Sequence, residues 1–447
     1  MDTQTKEINT NIKPLTIDDF TFKTKVQNAT TEKIRKIAIE EGADDIGFVN
    51  LDRPALQNDK EKLKTVYSKA KTAISLVKKM NRENIQSPAR YSANVEFHHT
   101  IDDLTDIARR ILRRLNDLNI RGVVPTVGFP MDMDALGKDA LWHVSHKPIA
   151  VEAGLGQMGK NRNVIHQKFG NFILLETILI DTELDRYDYP IAYNPCVTCN
   201  LCVTACPVGA IQRDGDFNFM ACMDHNYREF MGGFQEWSET LVSSKNIEQY
   251  RENFQDNETA SMWQSLSFGA NYKAAYCMAV CPAGEEVIPP FIENSKVFVN
   301  DILRPLKEKE ESVYVRKGSR AERFASKNPA KEIRHIKSPY RPQNIDFFLK
   351  GATLQFNPEK AKDLDLVIQF RFYGEETLDA FVQISNQKIK AERGEHKQSH
   401  IEVSVDSKTW LKIVNKETTV IWSILTRKMK TKGNPLLLKR FENCLDS

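Results

Sequence analysis

After a polar stretch over residues 1–30 that shows no period, apolar and polar positions fall into regular patterns. TTEKIRKIAIEEG, closing at Gly42, has helical spacing, IGFVN reads as a strand, and TAISLVKKM is apolar and β-branched enough for a buried strand. From Thr100 a helix is predicted, with acids in its first turn. Its stripe of Ile101, Leu104, Ile107, Ala108, Ile111, Leu112, Leu115 and Leu118 recurs in steps of three and four and belongs in a core. NFILLETILID reads as one long buried strand. Towards the C-terminus, DLDLVIQFRFYG, AFVQISNQKIKAERG and HIEVSVD predict strands, the second turning at Asn386-Gln387. PLLLKRFENCL predicts an amphipathic closing helix after Gly433.

Helices and strands in mixed order predict an α+β protein. The expected parts are a polar extension over residues 1–30, a first domain over 31–190, a cysteine-bearing domain over 191–295, a basic linker over 296–345 and an α/β domain over 346–447. Between Arg304 and Pro342 there are twelve Lys/Arg and five acids without apolar periodicity, which reads as a solvated connection. The 447 residues carry a net charge of +3, too balanced to announce a nucleic-acid binder by itself. No apolar run approaches the roughly 18 residues a spanning helix needs, and the opening residues lack a signal core. A cytoplasmic protein without a transmembrane segment is the expectation.

The cysteines change the picture. Of the 8, all but Cys444 lie from Cys196 to Cys281, a crowding that a disulfide framework would not produce. Cys196, Cys199, Cys202, Cys206 and Pro207 spell C-x2-C-x2-C-x3-C-P. Soft thiolates at this spacing suit iron–sulfur ligation, the first three serving one 4Fe-4S cluster and the fourth a second one. Cys281-Pro282 repeats the ending, so it completes the first cluster with Cys196, Cys199 and Cys202. The second cluster then receives Cys206, Cys222 and Cys277 and is one thiolate short, because the position that would complete the repeat is Ala274. A 3Fe-4S cluster, a 4Fe-4S cluster cornered by Asp224 or His225, or a labile centre all satisfy that count. Cys444 reads as structural.

AVEAGLGQMGKN, then KFGNFILLETILID, then the cysteine string resembles, in that order, the family of epoxyqueuosine reductases and reductive dehalogenases. Lys147-Pro148, Asp181 and Phe169-Gly170 also fall in family order. The resemblance implies a nitroreductase-like, cobalamin-binding domain joined to a double-cluster ferredoxin-like domain. Gly154, Gly156 and Gly159, with Lys160, would border the cobalamin, the glycines sparing the Cβ that would obstruct it. Some family features are altered here. Gln157 replaces an aromatic, and the Tyr-His pair appears as Phe97-His98 with Tyr91 seven residues before. The family's catalytic aspartate falls on Ala140, leaving Asp139 one residue away and Asp132 and Asp134 as alternatives. Reduction of carbon needs a proton as well as electrons, so a pocket acid is expected. Asp139, Tyr91 and His98 are the candidate catalytic residues.

ATLQFNPEKAKDLDLVIQF, ISNQKIKAERG and RKMKTKGNPLLLKRF resemble sterol carrier protein type 2 domains, which implies an apolar ligand. Together these resemblances imply an iron–sulfur, cobalamin-dependent reductase acting on a small hydrophobic substrate or lipid and fed by a donor such as ferredoxin or flavodoxin. The basic tail with which some relatives hold RNA is not visible, so nucleic acid is not an expected partner. The rival readings are a ferredoxin-like carrier without corrinoid and a lipid- or corrinoid-binding protein without turnover.

Overall fold

The computed structural model describes residues 30–131, 142–196, 199–337 and 341–446. Thr30 opens the first helix, Thr31–Glu40, its hydroxyl accepting from the Lys33 N–H at 3.3 Å. The first domain is built on strands β1 (Asp45–Asn50), β2 (Thr72–Lys79) and β3 (Gly122–Val123), a short ribbon of β4 (Gln157–Met158) with β5 (Val164–Ile165), and β6 (Ile173–Ile180). The sheet runs β1-β2-β6-β3, antiparallel throughout, with β2 and β6 paired from Thr72↔Ile180 to Lys79↔Ile173.

Alternation along β2 and β6 divides their side chains between two buried layers. On one face Ile74, Leu76, Ile178 and Ile180 meet Leu104, Ile107, Ile111 and Leu115 of the helix Arg90–Asp117. On the other, Ala73, Val77, Leu175 and Leu179 meet Ile149 and Ala150 of the helix His146–Glu152. The long helix begins at Arg90, ten residues before the predicted start at Thr100, because Ala93, Phe97 and Thr100 are also buried. Its first turns pack against a third apolar group in which Met80, Phe97 and Phe172 meet Ala205, Tyr276 and Val280, joining this domain to the cysteine segment.

The cysteine segment is largely helical: Leu201–Ala205 carries Cys202, Phe219–Asn226 carries Cys222 and Tyr276–Ala279 carries Cys277. The predicted solvated linker is a folded unit. Within 296–345, β7 (Glu311–Val315) and β8 (Lys331–His335) pair in parallel across the helix Arg320–Ala325. Val313, Val315, Ala321 and Ala325 pack on Val208, Ala210 and Ala221 of the cysteine segment. Some of its charges pair within the unit, as Lys331 does with Glu311, and others with distant partners, as where Arg316 meets Asp224.

The tail holds β9 (Leu366–Tyr373), β10 (Leu378–Ser385), β11 (Lys388–Arg393), β12 (Ile401–Asp406) and β13 (Met429–Gly433) in the order β11-β10-β9-β12-β13. β12 runs parallel to β9 and the other pairs are antiparallel. Asn386 and Gln387 turn between β10 and β11 at φ 50° and 58°, as the spacing predicts. Cys444 is buried in this domain, its thiol donating to the Arg440 carbonyl at 3.2 Å.

Candidate functional site

Seven thiols gather where the cysteine segment meets the first domain, and their electrostatics divide them into two groups. Burial pushes the Cys202 thiol up to about 12, and the fields of Cys199 and Cys196 add to the rise. Burial also raises Cys281, which senses Cys202, Cys199 and Cys196. In the second group burial raises Cys222 well above its ordinary value, with Cys206 and Cys277 adding. Cys277 is pushed to about 12 by burial and by the fields of Cys206 and Cys202, so it lies between the groups. Cys206 is raised by burial, offset by backbone N–H groups turned to its sulfur, that of Ala210 at 3.2 Å.

A buried thiolate needs nearby positive charge, which iron supplies, and the donor set fits iron–sulfur clusters. Among the described residues no three or more His, Cys, Asp or Glu side chains close round a single metal ion. Thiolates that each hold a different iron of one cluster stand further apart than the ligands of one ion.

Of the two non-cysteine candidates for the fourth corner of the second group, Asp224 is already engaged and His225 keeps one ring nitrogen unpartnered. Asp224 is engaged by Arg316 through two bonds of 2.7 and 3.0 Å. The Nδ1 of His225 accepts from the Tyr314 N–H at 3.4 Å, so its proton sits on Nε2, which has no partner. Burial holds that imidazole near 4 and therefore neutral. Ala274 is buried, its N–H bonded to the Asn226 side chain at 3.0 Å.

In the glycine loop the space a Cβ would take is already occupied by the chain itself. A Cβ on Gly154, at φ 77°, would meet the Tyr189 carbonyl at 2.7 Å, and one on Gly159 the Asn161 Oδ1 at 2.8 Å. At Gly156 it would overlap the Ile165 carbonyl. Gly154 and Gly156 admit the chain's own backbone, and Gly159 its side chains. Residues just beyond the loop brace the cysteines. Lys160 donates to Asn200, within the cysteine string, at 3.1 Å, and Asn161 and Asn171 donate to the Cys277 carbonyl at 3.2 and 3.4 Å. Lys147 keeps solvent contact, yet desolvation holds its ammonium below the ordinary value against the fields of Cys277 and Cys222. Its ammonium donates to the Arg162 carbonyl at 2.7 Å and to the Asn163 side chain at 3.1 Å.

Of the candidate catalytic residues, Asp139, like Asp132 and Asp134, lies outside the described residues. Tyr91 is 75% exposed at the start of the long helix and is not brought to the thiols. His98 donates from Nε2 to the Ala270 carbonyl at 2.8 Å and lies beside the rings of Phe230 and Tyr272, which pack on each other. The buried pair Glu176 and His146 went unremarked in the sequence. Burial pushes Glu176 up to about 8 and His146 down to about 4, with His146 Nδ1 3.9 Å from the carboxyl. His146 accepts from the Thr177 hydroxyl at 2.9 Å and donates to the Thr126 carbonyl at 3.1 Å. Glu176, the one acid within FILLETILI, was the signal for it.

Residues 189–212 match the 4Fe-4S binding domain family, and residues 343–447 match the alkyl sulfatase C-terminal family, where a sterol carrier type 2 domain was expected. An epoxyqueuosine reductase of Cellulophaga algicola is 27% identical over 183 residues, covering 38% of this chain and 54% of that protein. That of Lactococcus garvieae is 24% identical over 246 residues, covering 54% and 58%. The chain thus spans about half the length of the curated relatives it matches. An epoxyqueuosine reductase solved with a tRNA-Tyr epoxyqueuosine-modified stem loop is 20% identical, with a TM-score of 0.31 over 44% of this chain and 60% of that one. These similarities overturn the expectation that excluded nucleic acid, because a relative of the matched kind is seen with tRNA. Among the described residues no helix is long and apolar enough to cross a membrane.

Proposed function

We propose that this chain is an iron–sulfur reductase of the epoxyqueuosine reductase type, with one four-iron cluster on Cys196, Cys199, Cys202 and Cys281 and a second cluster on Cys206, Cys222 and Cys277. The observation that carries the reading is the grouping of the thiols, Cys281 beside Cys202, Cys199 and Cys196, Cys222 beside Cys206 and Cys277, and Cys277 in the fields of both Cys206 and Cys202, within a chain that carries the C-x2-C-x2-C-x3-C-P spacing. When bound, such clusters pass electrons singly. The chain's own part is to hold them: Lys160 and Asn161 tie the first domain to both cysteine groups, and Ala210 N–H faces the Cys206 sulfur. The second cluster has three thiolates and is the more easily stripped. A carrier without turnover is the weaker reading, since the matched relatives are reductases.

Cobalamin is the cofactor that the family resemblance implies. The sides of Gly154 and Gly156 on which a Cβ would stand face the chain's own backbone, and no step here runs through the corrin. A substrate carried on tRNA is supported by the kinship with epoxyqueuosine reductases. The alternative, a hydrophobic small molecule held in the tail, has less support, because Phe348, Phe370, Phe372 and Trp410 fill the space between sheet and helices. His98 and an acid from the segment of Asp139 are the proposed proton-handling groups. Anaerobically reconstituted protein incubated with a chemical reductant and tRNA bearing epoxyqueuosine tests the reading. Conversion of the epoxide supports it, and reconstituted clusters without conversion place the substrate elsewhere.

A further inference from the structure

At the end of the tail, the short helix Val420–Leu425 is capped by Thr419, whose hydroxyl accepts from the Trp422 N–H at 3.1 Å. Its inner side, Val420, Ser423 and Ile424, rests against the tail core. Its outer side carries Ile421, Trp422 and Leu425, which share one face at spacings of three and four and are exposed by 72%, 61% and 70%. Leu436, at the start of the closing helix, is exposed by 68%.

The residues between and beyond are cationic. Arg427, Lys428, Lys430, Lys432, Lys439 and Arg440 are all exposed, and from Val420 to Asn443 the one acid is Glu442. Glu442 pairs with Lys439 at 2.8 Å. Lys432 lies across from Glu402, which faces Arg371 at 4.0 Å, and Lys430 lies across from Ser404. Among the described residues no ion pair neutralises Arg427, Lys428, Lys430 or Arg440.

An aliphatic and tryptophan face flanked by unpaired cations has the composition of a surface that rests in the boundary of a bilayer, with its charges on anionic headgroups. We propose that this end of the tail docks on an anionic lipid membrane surface, with Ile421, Trp422 and Leu425 entering the headgroup boundary and Arg427, Lys428, Lys430 and Lys432 meeting the headgroups. A second copy would bring this cationic stretch against itself. RNA would engage the cations and Trp422, but Ile421, Leu425 and Leu436 have no π-face on which a base could stack.

The test is co-sedimentation of the full chain with vesicles of phosphatidylserine and phosphatidylcholine, beside vesicles of phosphatidylcholine alone. Pelleting with the anionic vesicles only, weakened by salt, is expected. Two variants, Trp422→Ser with Leu425→Ser and Lys430→Gln with Lys432→Gln, each alter exposed side chains. Both should reduce pelleting, the second by about five-fold per lost cation. The proposal is overturned by no pelleting on anionic vesicles at low salt or by pelleting that neither variant changes. A dimer in light scattering that the apolar variant dissolves would also overturn it, as would RNA retention that the apolar variant abolishes in the absence of vesicle binding.

Discussion

Asn161 and Cys277 stand 116 residues apart in sequence, and the Asn161 amide donates to the Cys277 carbonyl at 3.2 Å. That bond fastens the end of the glycine loop to the residue whose sulfur feels both Cys206 and Cys202. Asn161→Ala should loosen the second centre while sparing the first. A lost neutral hydrogen bond is worth about 1 kcal/mol, so the effect should appear as faster iron loss to a chelator from one centre and not as unfolding.

Gly156→Val should destabilise the protein as a whole. The added side chain meets the Ile165 carbonyl and the Val164 side chain, and neither can withdraw without breaking the β4–β5 ribbon. A loss of about 2 kcal/mol or more is expected in denaturant unfolding. A variant that keeps full stability would mean that the loop has room to give.

Arg316 and Asp224 are both buried, and Arg316 also donates to Gln355 and to the Asp446 carbonyl of the tail at 3.0 and 2.8 Å. Arg316→Leu leaves Asp224 as an uncompensated buried charge and should cost about 3–5 kcal/mol. Adding Asp224→Leu should recover much of that loss. Urea unfolding of the two single variants and the double variant measures the coupling.

Glu176 gives stability a distinctive pH dependence. Its ordinary value of 4.5 is pushed to about 8 by burial, so folding takes up a proton between those limits. The contribution is full below 4.5 and is lost as pH rises through 8. His146 has the opposite sign: it falls from 6.5 to about 4, so its neutral form destabilises the fold as pH drops through that window. The two oppose each other in weak acid, and Glu176 acts alone above pH 6.5. There stability should fall by up to about 1.4 kcal/mol per pH unit, and Glu176→Gln should flatten the slope. Equal slopes in the two proteins would contradict the assignment.

The sequence disclosed those features whose cause is local. β2 and β6 showed in their apolar runs, the tail strands in their alternation, and the 4Fe-4S binding segment in the spacing from Cys196 to Cys206. Features set by distant partners were hidden. The stretch from Arg304 to Pro342 reads as a linker because Val313 to Val315 is too short an apolar segment to stand out. The acid that neutralises Arg316 lies 92 residues away. Gly154 and Gly156 owe their identity to Tyr189 and Ile165, whose approach is set by the tertiary fold. Asp224 stays open as a ligand until Arg316 is seen to engage it, and which nitrogen of His225 is left unpartnered shows only once Tyr314 is in place.

The central claim is the partition of the cysteines, and anaerobic iron and sulfide determination with EPR on the wild type, Cys281→Ala and Cys206→Ala tests it most directly. The wild type should hold one four-iron centre and a second, more easily depleted one. Cys281→Ala should lose the first centre and keep the second, and Cys206→Ala should do the reverse. If Cys281→Ala leaves the Cys196 centre intact and removes the one that depends on Cys277, the partition is wrong.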